Sequence, residues 1–159
     1  MSKQAMRVAV GDDVVYGAHG VGVVAARGTK VVDNEQRPVV VIALADGLSV
    51  ELPVTLAQEL LRPVAGEPEI ARVGTVLRAA ANPGEESWLK RRREAQAKLR
   101  DPVGLAEIIR DAAGRRQLSP GEREILRTAR KLLAAEIAIS RGVGTAEADG
   151  WIDDQLTTP

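Results

Sequence analysis

The sequence predicts an α+β protein of two domains: a small antiparallel β barrel of SH3-like or Tudor-like kind, then a bundle of about five helices. Three observations carry this. From Val8 to about Pro63 the chain is valine-rich and broken by turn signals at Gly11-Asp12-Asp13, Asp33-Asn34 and Asp46-Gly47, the pattern of short antiparallel strands. After Pro68 the apolar residues fall at helical spacing instead. Between the two lies a Pro- and Gly-containing connection, Pro63 to Pro68, so the domains are expected at residues 1–64 and 68–159.

Each element follows from its local residues. The β half has too few residues for a sandwich and suits a small barrel. Ile70, Val73, Val76 and Leu77 mark the first helical stripe, and Leu105, Ile108, Ile109 and Ala112 mark a later one. Between them the propensities of Leu, Lys, Arg, Glu, Ala and Gln predict a helix over residues 86–99, after a Pro83-Gly84 turn and with Ser87 as its cap. A long stripe runs through Ile125, Leu126, Ala129, Leu132, Leu133 and Ile137. Its start is signalled by Ser119 as N-cap, Pro120 at the first helical position and Glu122 closing a capping box. Gly142 and Gly144 end it, and Thr145 is expected to cap the last helix, where Trp151, Ile152 and Leu156 face the core.

Composition narrows the function classes. With 159 residues and 45% hydrophobic side chains the chain can bury a core, but aromatics make up only 2%, so Val, Leu, Ile and Ala must fill it. There is no cysteine, hence no disulfide, thiolate metal site or thiol nucleophile. No stretch approaches a membrane span and the N-terminus has no cleavage-site pattern, so a cytoplasmic address is expected. Charge balances at 22 basic and 22 acidic residues, which rules out long-range attraction to polyanions. The basic residues cluster locally. Lys90, Arg91, Arg92, Arg93, Lys98 and Arg100 surround a single Glu94, and a second cluster, Arg115, Arg116, Arg123, Arg127, Arg130 and Lys131, is interleaved with Glu122 and Glu124.

The motifs point away from catalysis. Gly20-Val-Gly22-Val-Val-Ala25 fits the dinucleotide pattern formally, but residues 23–32 read as strand, whereas that fingerprint needs a helix N-terminus facing the pyrophosphate. Tight β turns explain the glycines. His19 is the only histidine, which leaves neither a zinc site nor a Ser-His-Asp triad within reach, and local packing at a strand end is expected of it. The acidic residues sit along helices beside basic neighbours, as solvated faces do. No enzyme activity, metal or cofactor is expected.

Trp88 is the anomaly. It lies just ahead of the basic run Lys90-Arg91-Arg92-Arg93 in a chain with no Phe and one Tyr. On a helix it would share a face with Arg91 and Arg92, while Leu89, Gln96 and Leu99 lie elsewhere. Two readings stand. An indole at the tip of a basic helix can stack on or wedge against an unpaired base, a contact worth about 1–3 kcal/mol. Alternatively, Trp88 staples its helix to a neighbour and the basic residues keep that surface soluble.

Several of these segments together resemble the CarD/CdnL family, and the first domain also resembles the polymerase-interaction domain of transcription-repair coupling factors. The N-terminal residues that carry this are Gly11-Asp12-Asp13-Val14-Val15-Tyr16, His19-Gly20-Val21-Gly22 and Val50-Glu51-Leu52-Pro53. In the second half they are Val76-Leu77-Arg78, Trp88 with Lys90 and Arg91, Leu118-Ser119, Glu122 and Leu132-Leu133-Ala134-Ala135-Glu136.

The resemblance implies that the barrel binds the β subunit of bacterial RNA polymerase, with Arg27, Lys30 and Glu51 on the contacting surface. It implies that the helical domain meets promoter DNA at the upstream edge of the transcription bubble, with Trp88 wedging from the minor-groove side and Lys90, Arg91 and Arg93 on the backbone. Some family members carry a basic residue where this chain has Glu51, which would alter or remove a charge pair with β. The DNA contact is expected to be weak and non-specific in sequence. A patch neutralising about three or four phosphates loses affinity steeply with salt, so polymerase must act as a tether that raises the effective concentration. The protein is expected to act as a monomer that modulates open-complex stability. An adaptor that binds polymerase and recruits another protein through its helices, with Trp88 structural, is the alternative.

Overall fold

The computed structural model describes residues 8–81, 98–115 and 117–157. Its α+β architecture is the one the sequence predicts. The chain divides into two compact units, Met1–Val64 and Ala65–Pro159.

The first unit is a five-stranded sheet in the order β4-β3-β2-β1-β5, and every neighbouring pair is antiparallel. The strands are β1 (Asp13–Tyr16), β2 (Val21–Val32), β3 (Glu35–Leu44), β4 (Ser49–Pro53) and β5 (Leu61–Pro63). The turn signals act as read. Asp33 and Asn34 close the β2–β3 hairpin with φ of 52° and 63°, the left-handed pair that a two-residue hairpin of right-twisted strands requires. Gly22 serves close packing: a Cβ there would lie 2.9 Å from the Ala43 carbonyl oxygen. It sits inside β2, so the glycine pattern opens a strand and not a helix. Val14, Val24, Val40, Ile42, Leu44, Leu52, Ala57 and Leu61 form the core of this unit. His19 ends a short 3-10 turn and stands edge-on to Tyr16, ring centroids 4.8 Å apart, the local packing expected of it.

One element was not foreseen. Residues Val54–Leu60 form a seven-residue helix, α1, which buries only Ala57 and leaves Leu56 and Leu60 exposed. A helix this short, burying one residue, shows no apolar period in sequence.

The second unit contains α2 (Glu67–Arg78), α3 (Pro102–Ala113), α4 (Pro120–Arg141) and α5 (Thr145–Thr157) among the described residues. The helix expected over 86–99 falls almost wholly outside them. Proline occupies the first turn of α2, α3 and α4, where its missing N–H costs nothing. The capping box is present: Ser119 Oγ accepts from Glu122 N and Glu122 Oε1 accepts from Ser119 N, both at 3.1 Å. Gly142 caps the other end of α4 in the left-handed conformation. Thr145 does not cap α5 from outside but begins it, and Ala148 N donates back to the Gly144 carbonyl.

As the scarcity of aromatics requires, the two core clusters among the described residues are built from buried Val, Leu, Ile and Ala. Trp151 is partly buried against the helical core, as expected, and Arg141 lies over its ring at 4.8 Å. The same guanidinium grips Glu67 with two hydrogen bonds of 3.0 and 3.2 Å, joining the start of α2 to the end of α4.

Glu136 is the one buried polar side chain among the described residues, 1% exposed. Its carboxyl accepts from Ala65 N at 2.8 Å, and one turn on Ser140 Oγ donates to the Ala65 carbonyl at 2.5 Å. Removing the acceptor would strand a buried N–H, so Glu136→Ala is expected to cost about 1–3 kcal/mol in denaturant unfolding followed by the helical far-ultraviolet signal. Glu136→Gln, which keeps an oxygen, should cost less; equal losses would show that packing and not the hydrogen bond matters.

The hydrogen bond from Arg141 holds the Glu67 carboxyl below its ordinary value of 4.5, outweighing the opposing effect of desolvation, and the guanidinium's charge adds to the lowering. A lowered carboxyl contributes stability above the ordinary carboxylate range and loses it as pH falls through the lowered value. The advantage of the wild type over Glu67→Gln in unfolding experiments should therefore be present at neutral pH and vanish in acid. A difference independent of pH would show that the pair contributes through packing alone.

Candidate functional site

Two regions hold the residues singled out from the sequence, one in each unit. In the first, β2 and β3 pair from Gly22↔Leu44 out to Val32↔Glu35. The described pairing of β1 with β2 stops at Val23, and that of β4 with β3 stops at Val39. Beyond Gly28↔Val39 the hairpin is thus a two-stranded arm, and residues 25–38 are exposed along both strands.

Arg27, Lys30 and Glu51 all stand on or beside this arm, but they do not share one surface. Directly paired residues of a sheet face the same way, and the facing alternates along each strand. Arg27 pairs with Val40, which is buried, so Arg27 lies on the core side of the sheet. Glu51 pairs with Val41 and Val41 with Ala26, which places Glu51 on the opposite face together with Lys30. There Lys30 Nζ and Glu51 Oε1 form an ion pair of 3.6 Å, with side chains 63% and 46% exposed.

The register shift between Val24 and Ala26 decides this. Without the extra residue, Ala25 would oppose Val41 and Arg27, not Lys30, would fall on Glu51's side. A bulge that inserts one residue reverses the facing of everything beyond it. An exposed pair of this kind adds little stability, about 0–1 kcal/mol. Its larger effect is on charge, because Glu51 offsets Lys30 within the same face.

In the helical unit, Trp88, Lys90, Arg91 and Arg93 lie outside the described residues. Other cations of the unit are among the described residues. Lys98 Nζ pairs with Glu107 Oε2 at 2.8 Å, which takes one member of the first basic cluster into an internal bridge along α3. Four members of the second cluster are engaged internally. Arg115 pairs with Glu122, Arg127 with Glu124, and Arg123 Nε donates to the Leu118 carbonyl. Arg130 bonds Asp149 at 2.9 Å and Asp153 at 2.8 Å, which ties α4 to α5. Burial opposes the charge on Arg130, yet the two aspartates outweigh it and its pKa is raised. The acidic end of the chain therefore serves as the counter-charge of α4.

Sequence reasoning missed Glu136, whose burial follows from its place among Leu133, Ala134, Ile137 and Ala138 on the packed side of α4. It also missed two glycines at the ends of α3, Gly104 and Gly114, whose positions hold neighbouring backbone and methyl groups in close contact.

Among the described residues no helix is long and apolar enough to cross a membrane. Residues 8–65 match the family model of the CarD-like/TRCF RID domain, and residues 72–153 match that of the CarD C-terminal domain. The second match alone spans half of the chain and includes the basic segment with Trp88. Both halves of the resemblance read from the sequence are thus found, in the same order, and the chain belongs to the CarD family of RNA polymerase-interacting, non-enzymatic transcription regulators.

Proposed function

We propose that this protein binds the β subunit of RNA polymerase through residues 1–64 and contacts promoter DNA at the upstream edge of the transcription bubble through residues 68–159. In doing so it changes the stability of the open complex. It acts as a cytoplasmic monomer and uses no cofactor. Trp88 is the wedge, and Lys90, Arg91 and Arg93 hold the phosphate backbone without reading bases. On the polymerase side Lys30 makes the contact from the face it shares with Glu51, which offsets its charge, and Arg27 from the opposite face of the arm.

The observation that carries this reading is the pair of consecutive family matches, the second of which encloses Trp88 and its basic neighbours. The charge accounting supports it. Arg115, Arg123, Arg127 and Arg130 of the second basic cluster are engaged by the protein's own acids and carbonyls, while the run Lys90-Arg91-Arg92-Arg93 places four cations together in sequence. So small a patch binds DNA weakly at cellular salt, and docking on polymerase supplies the effective concentration it lacks. An indole that fills a gap present only in melted DNA favours that state by its differential binding alone.

Trp88→Ala should shorten the lifetime of open complexes on a promoter by about tenfold, the equivalent of about 1.4 kcal/mol, while polymerase binding stays intact. An unchanged lifetime with polymerase still bound would favour the adaptor reading. Glu51→Gln removes the acid that offsets Lys30 and should tighten binding to the β subunit by up to about fivefold, the range of an exposed pair, with the gain shrinking at high salt. Weaker binding would mean instead that Glu51 itself meets a cation on polymerase.

A further inference from the structure

Glycine is a poor helix former, and α3 has one in its first turn and another immediately after its last residue. Neither is explained by backbone conformation. Gly114 has φ −81° and ψ −1°, ordinary right-handed values that alanine adopts freely. Gly104 has no positive φ either.

What the two positions share is a neighbour standing where a side chain would be. A Cβ on Gly104 would lie 2.4 Å from the Lys98 carbonyl oxygen and 2.9 Å from Lys98 Cα. A Cβ on Gly114 would lie 2.4 Å from the Ala81 methyl, with the next atoms, Asp111 O and Ala81 Cα, at 3.7 and 3.9 Å. Ala81 and Lys98 are the residues that bracket positions 82–97, the stretch holding Trp88 and the basic run. Two more contacts hold the Lys98 side: its bridge to Glu107 on α3, and the hydrogen bond from Asp101 N to its carbonyl at 3.3 Å.

We propose that Gly104 and Gly114 are positioning residues: two notches at the ends of α3, about 15 Å apart at 1.5 Å per residue, seat Lys98 and Ala81 respectively and so fix the two residues that flank the tryptophan segment. The proposal rests on the reading that Trp88 meets promoter DNA. It adds that the two ends of the segment carrying the indole, Ala81 and Lys98, are set by α3, which carries none of the expected DNA contacts.

The Gly114 notch allows a test in which stability is not the confounder. Gly114→Ala places two methyl groups in one space, and the exchange Ala81→Gly with Gly114→Ala removes one of them again. Full-length protein labelled with fluorotryptophan has two fluorine resonances, from Trp88 and Trp151, assigned with Trp88→Phe. Gly114→Ala should shift the Trp88 resonance, leave that of Trp151 in place, and shorten open-complex lifetime with polymerase by about threefold, within the coupling expected of residues in direct contact. The exchange variant should restore both readouts.

A Trp88 resonance unmoved by Gly114→Ala in folded protein, or left displaced in the exchange variant, overturns the proposal. So does a Gly114→Ala protein with unchanged lifetime when Trp88→Ala shortens it. If Trp88→Ala itself changes nothing, the DNA reading falls, and the fluorine spectra still decide whether the notches place the indole.

Discussion

The helical unit depends on how one residue is held. Ala65, its first residue, has its N–H bonded by Glu136 and its carbonyl by Ser140, two side chains one turn apart on α4. That double clip explains why α2 can begin without a side-chain cap at Gly66: the backbone entering the helix is already fixed by tertiary bonds. Two residues later Glu67 meets Arg141, and Arg141 covers Trp151, which in turn approaches Gly74 of α2. The corner is closed by polar contacts on the outside and by Ile70, Val73, Ile137 and Ile152 within. A buried carboxyl is costly unless its oxygens find donors, and here the donor is a backbone group that would otherwise be stranded as well.

A protein with no net charge that is proposed to touch DNA must distribute its charges with care. α4 answers Arg127 with its own Glu124 and Arg130 with Asp149 and Asp153 of α5. On the β arm Glu51 does the same for Lys30. These pairs contribute little to folding individually. Collectively they neutralise much of the basic surface among the described residues.

Much of the fold was legible because the sequence speaks locally. Ser119, Pro120 and Glu122 announce α4 in four residues, and Asp33-Asn34 announces its hairpin. The unforeseen α1 is the opposite case, too short to show a period and dependent on one buried alanine. The site was legible only in part. That Arg27 and Lys30 face opposite sides could be read from their odd spacing on one strand. Which of them meets Glu51 could not, because the answer turns on the bulge at Val24–Ala26, a property of register between strands distant in sequence. Gly104 and Gly114 were silent for a similar reason. A glycine announces an unusual backbone angle more readily than it announces a neighbour arriving from elsewhere in the chain.

The two-stranded arm separates two demands that usually compete. Beyond Gly28 and Val39 its strands hydrogen-bond to each other, and its side chains belong to neither core cluster. Substitutions there leave the buried valines and leucines untouched, so the composition of this surface is free to drift while the folding free energy of the unit stays nearly constant. Foldability and surface chemistry are therefore written in different residues of the same hairpin, and the boundary between the two vocabularies falls at Val39, where β4 stops pairing with β3.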